Sequence, residues 1–109
     1  MDKFQNYIDP MSKKLKELEE EGFNDQFKFI QDQGLQSTSS KTTYQPRDLR
    51  ITNEFRFEGI TDPSDMSILY AIQAKDGTKG TLVNAYGTYA DDELEEFLKS
   101  VEDDSNEQL

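Results

Sequence analysis

Ser67-Ile68-Leu69-Tyr70-Ala71-Ile72-Gln73-Ala74-Lys75-Asp76-Gly77-Thr78-Lys79-Gly80-Thr81-Leu82-Val83-Asn84-Ala85-Tyr86 is the stretch on which the fold turns. From Met66 to Ala74 the residues are apolar on both phases of the two-residue strand period, which places this strand at the centre of a sheet. Asp76-Gly77 follows, two residues that tolerate positive φ and make the strongest short-range hairpin signal in the chain. The chain then returns as a strand from Lys79 to Tyr86, antiparallel to the first.

Downstream, Gly87 and Thr88 break the strand, and Asp92 with Glu95 three residues on opens a helix in the manner of a capping box. Leu94, Phe97, Leu98 and Val101 share one face of that helix. The remaining Glu-Asp-Asp-Ser-Asn-Glu-Gln-Leu has nothing to bury and reads as a disordered acidic tail over 102–109, after a single domain spanning 1–101. Upstream, Ile51 to Gly59 sets Ile51, Phe55 and Phe57 in one phase and Thr52, Glu54, Arg56 and Glu58 in the other, a two-faced strand. Gln36 to Thr43 is almost all Ser, Thr and Lys, the composition of an exposed loop or an edge strand. Asp25 to Gln31 alternates through Phe27, Lys28 and Phe29 as a half-buried strand. A first helix is announced by Asp9-Pro10, carries Met11, Leu15 and Leu18 at helical spacing, and stops at Gly22 with Phe23 just beyond. The expected fold is α+β: an antiparallel sheet of three to five strands, with the N-terminal and C-terminal helices packed on one face.

The composition narrows the chemistry. The chain has 109 residues, a net charge of −11, and neither Cys nor His, so thiolate nucleophiles, disulfides, imidazole bases and the usual zinc ligands are all missing. From Asp91 onward nine acidic residues stand against one base, Lys99. Such a surface repels nucleic acid, whose binding relies on Lys and Arg meeting phosphates. No apolar run reaches the length of a membrane helix, and the opening residues lack the pattern of a signal peptide, so a cytoplasmic protein is expected. A monomer is expected as well.

Phe55-Arg56-Phe57-Glu58-Gly59, Thr61-Asp62-Pro63-Ser64-Asp65, Ser67-Ile68-Leu69-Tyr70-Ala71-Ile72, Lys79-Gly80-Thr81-Leu82-Val83 and Ala85-Tyr86-Gly87-Thr88-Tyr89-Ala90 resemble a family of short bacterial proteins of unknown role. Its members commonly carry the label phosphoribosylpyrophosphate synthetase. The resemblance spans most of residues 9–91 and brings no catalytic residues with it. The label implies a loop that cradles phosphates, yet the chain has no GxxxxGK[ST], and Asp91-Asp92 is followed by Glu-Leu-Glu-Glu, which repels a phosphate. On these residues the label reads as a propagated misannotation.

Several side chains are candidates for a ligand or partner surface. Asp62 and Asp65 offer two carboxylates for a divalent cation, against an Asx-type turn built on Pro63. Arg56 and Glu58 share the polar phase of their strand and either meet a ligand or pair across strands. Tyr70, Tyr86 and Tyr89 offer a ring and a polar tip to whatever covers the sheet face that the helices leave open, against plain core packing. Lys79 beside Gly80 is placed to approach an anion, or else is a solvated hairpin flank. The expectation is a non-enzymatic binding or regulatory module acting through an open sheet face on a protein or small ligand, with no cofactor. The rival is an enzyme of phosphosugars or nucleotides using Asp62, Asp65 and Lys79.

Overall fold

The computed structural model describes residues 10–57, 67–85 and 92–103. Helix α1 (Pro10–Glu20) leads into β1 (Asp25–Ile30), β2 (Gly34–Ser37) and β3 (Thr43–Tyr44), then a short 3₁₀ turn (Pro46–Asp48) and β4 (Leu49–Phe57). Strands β5 (Ser67–Ala74) and β6 (Lys79–Ala85), helix α2 (Asp92–Lys99) and β7 (Glu102–Asp103) complete the order. The strands form one seven-stranded sheet in the order β3-β2-β1-β6-β5-β4-β7, curled into a half-barrel. It is mixed: β1 runs parallel to β6 and β7 parallel to β4, while the other neighbours are antiparallel. The expected antiparallel sheet of three to five strands is thus corrected. The Ser/Thr-rich stretch adds two short strands, and Glu102–Asp103, assigned by the sequence to the tail, pairs with Arg50–Ile51.

The helices do not share a face. In β5, Ile68, Tyr70 and Ile72 belong to a cluster with Leu94 and Leu98 of α2 and with Val101 just beyond it. Leu69 and Ala71, on the other phase, belong to a second cluster with Leu18 of α1 and Phe23. The strand is apolar on both phases because each phase meets a different helix, and the expectation of both helices on one face is corrected accordingly. The larger cluster joins Phe27, Leu35 and Tyr44 of β1–β3 to Leu49 and Ile51 of β4, so it fills the inner face of the curl, with α2 seated in it. Helix α1 covers the outer face.

Strand β4 serves both faces by means of a bulge. Its register against β5 slips between Ile51 and Asn53, which leaves Thr52 as the extra residue, its hydroxyl donating to Ala71 O at 3.2 Å. Before the bulge, Leu49 and Ile51 face α2. After it, Phe55 and Phe57 face α1, while Glu54 and Arg56 stand opposite Tyr70 and Ile68 on the inner face. The single apolar phase expected for Ile51, Phe55 and Phe57 is therefore split in two.

Helix α1 ends as its sequence requires. Phe23 N–H donates to Leu18 O at 2.9 Å and Gly22 N–H to Glu19 O at 3.1 Å, with Gly22 at φ +104°, the paired bonds of a Schellman ending. Phe23 and Leu18 pack in the same outer cluster, the contact that accompanies this ending.

Curling brings β3 against the β5–β6 hairpin. Tyr44 OH donates to Asp76 Oδ2 at 2.7 Å and lies 3.1 Å from Thr78 Oγ1, while Thr78 N–H donates to Asp76 Oδ1 at 2.9 Å. The Thr78 N–H, then the Tyr44 hydroxyl, hold the Asp76 carboxyl below its ordinary pKa. Burial first, and the nearby Asp76 carboxylate, push the Tyr44 phenol up. The two signs give opposite arms. A depressed carboxyl contributes stability that is present above its unfolded pKa of about 4 and is lost as pH falls through the folded value. A raised phenol contributes stability that is present below its unfolded pKa of about 10 and is lost as pH rises through the folded value. The urea midpoint is expected to fall on both sides of a neutral plateau, and Tyr44→Phe is expected to flatten the alkaline arm. An alkaline arm unchanged in that variant would show that other groups cause it.

Candidate functional site

The inner face carries polar groups where packing with α2 favours apolar ones. Arg56, Ile68 and Asn84 lie in one cross-strand row, and Glu54, Tyr70 and Leu82 in the next. Arg56 and Glu54, two residues apart on the same face of β4, pair at 3.5 Å, with Arg56 more exposed at 60% than Glu54 at 23%. They border a cleft of about 250 Å³ between the sheet and α2, floored by Ile51, Ile68 and Leu98. Lys99 and Glu95 of α2 form the far wall, so the rim holds both signs of charge around an apolar floor.

Asn84, in the same row as Arg56 but outside the lining of the cleft, is the least expected polar group on this face. The residue is 3% exposed, and its Nδ2 has no hydrogen-bond partner among the described residues. Leaving a buried amide donor unpaired costs about 1–3 kcal/mol, so such groups are rare in folded proteins.

The sequence candidates separate into three groups. Arg56 and Tyr70 come together at this cleft, Tyr70 with its ring in the inner cluster and only 9% exposed. Lys79 lies elsewhere: Nζ donates to Glu21 O at 3.2 Å and sits 4.5 Å from the centroid of the Phe23 ring. It thereby supplies the cation that the last turn of α1 lacks in its own sequence. Glu58, Asp62, Asp65, Tyr86 and Tyr89 lie outside the described residues. The register places Phe57, Ser67 and Ala85 side by side at one end of the sheet. Among the described residues no three acidic side chains are grouped to hold a metal ion, and no helix is long and apolar enough to cross a membrane.

Sequence reasoning misses Asn84 and Glu54 as site residues. Asn84 shares the phase of Leu82 in β6, which is the available signal. The face of Glu54 can be read only with the bulge in view.

No protein-family model, curated protein or solved structure matches this chain.

Proposed function

We propose that this chain is a non-enzymatic binding module that takes a small ligand, or a protruding side chain of a protein partner, in the cleft between α2 and the inner sheet face. The observation that carries the reading is the buried Nδ2 of Asn84, without a partner among the described residues and in the same row as Arg56. Arg56 on the rim and, beyond Ile68 in the same row, the enclosed amide of Asn84 suit a ligand bearing a carbonyl or carboxylate oxygen that reaches past the lining of the cleft. The site then differs from the expected one: α1 and α2 cover opposite faces, and binding occurs at the border of α2 rather than on an open sheet. Membership of the bacterial family that the sequence resembles, a cytoplasmic location and a monomeric state belong to the same proposal.

Two variants test it. Asn84→Leu removes the unpaired donor at similar shape, and it is expected to raise stability by about 1 kcal/mol while abolishing binding. Arg56→Met is expected to leave the urea midpoint close to that of the parent, because the guanidinium end of its pair with Glu54 is 60% exposed and screened by water. The binding measurement is an amide ¹H–¹⁵N screen of small carboxylates and amides. Hits that move the amides of Ile68, Tyr70 and Asn84 and disappear in both variants support the reading. A destabilised Asn84→Leu protein, or hits indifferent to both substitutions, would overturn it.

A further inference from the structure

We propose a second site, independent of the Arg56 cleft, that binds a small multivalent anion at the other end of the sheet. There a cleft of about 590 Å³ opens where β4 begins and β5 ends, bordered by Arg47, Arg50 and Lys75 together with Asp48 and Glu102. Three cations against two carboxylates is unusual for a chain whose net charge is −11.

Glu102 is matched by Arg50, and Asp48, which keeps its charge, is turned to the backbone, so Arg47 and Lys75 leave a net positive charge at the cleft. Asp48 Oδ2 accepts from Gln45 N–H at 3.2 Å, closing the 3₁₀ turn, and Glu102 Oε2 lies 3.8 Å from Arg50 Nε. Arg47 and Lys75 have no carboxylate within salt-bridge distance among the described residues, although the chain holds 23 acidic side chains. Their backbones are held in place: Lys75 N–H donates to Asp48 O at 2.9 Å, which ties the hairpin to the 3₁₀ turn. Like charges around one concavity raise each other's energy, and an anion with two or more charges relieves that repulsion. Guanidinium groups match phosphate and carboxylate oxygens in pairs, so the ligand class is a phosphate ester or a polycarboxylate. Buried Leu49, Ala74 and Val101 beneath the charges leave an apolar floor for its body.

The test titrates inorganic phosphate and, separately, citrate into ¹⁵N-labelled protein, with sodium chloride holding ionic strength constant. Saturable shifts are expected at the amides of Arg47, Gln73, Lys75 and Ser100. Phosphate alone producing them assigns a phosphate ester, and citrate alone a polycarboxylate. The double variant Arg47→Ala/Lys75→Ala is expected to weaken binding by about tenfold or more at an unchanged urea midpoint. No saturable shift from either anion by about 20 mM, equal shifts with chloride, or equal affinity in the double variant would each overturn the site. Shifts confined to Arg56 and Asn84 would overturn it too, while leaving the first cleft standing.

Discussion

Gly34→Ala is expected to lower stability by about 3 kcal/mol and to loosen the β2–β3 corner, the sum of conformational strain of about 1–2 kcal/mol and overpacking of about 1–3 kcal/mol. Gly34 opens β2 at φ +132°, a backbone region that a residue with a Cβ rarely adopts. A Cβ built there would stand far inside contact distance of Tyr44 O, a backbone atom that cannot swing aside as a side chain does. Tyr44 is also the residue whose hydroxyl reaches Asp76, so displacing β3 loosens the contact with the hairpin as well. Urea unfolding followed by circular dichroism gives the midpoint shift, and amide exchange locates it. A loss under about 1 kcal/mol would mean that the corner relaxes freely and that the close approach is not a constraint.

Leu69→Ala is expected to cost a similar amount, about 3 kcal/mol within the 2–5 kcal/mol range for such truncations in cores. Leu69 is 0% exposed and lies under α1 with Leu18 and Phe23. Its effect should be one-sided: amides of α1 exchange faster relative to those of α2. The informative control is Ile72→Ala, also 0% exposed but facing α2. If both variants accelerate the same helix, the assignment of the two helices to opposite faces is wrong.

What can be read from residues alone follows from where the deciding forces lie. The β5–β6 hairpin is legible because apolar runs and a two-residue turn signal are local. The end of α1 is legible for the same reason, since Gly22 and Phe23 carry its stop. Parallel pairing of Asp25–Gln26 with Gly80–Thr81 joins strands far apart in the chain, and no nearby residue announces it. The doubly apolar β5 reads from its residues as a face awaiting an outside partner, whereas it reports a helix on each side. One inserted residue, Thr52, reverses the faces of everything after it in β4, and with them the reading of Glu54 and Arg56. At the candidate site, Arg56 and Tyr70 are visible by type, whereas Asn84 matters only through burial, which a sequence does not display.

The bulge at Thr52 has a consequence for how change spreads through the molecule. Because one strand packs Leu49 and Ile51 beneath α2 and Phe55 and Phe57 beneath α1, any sliding of β4 against β5 disturbs both helices together. The extra residue also makes the strand tolerant in length: removing Thr52 restores plain alternation and keeps every later side chain on its present face. Two sequences differing by one residue at that point would share a fold despite the gap between them, and a comparison that penalised the gap would part relatives that the molecule itself treats as equivalent.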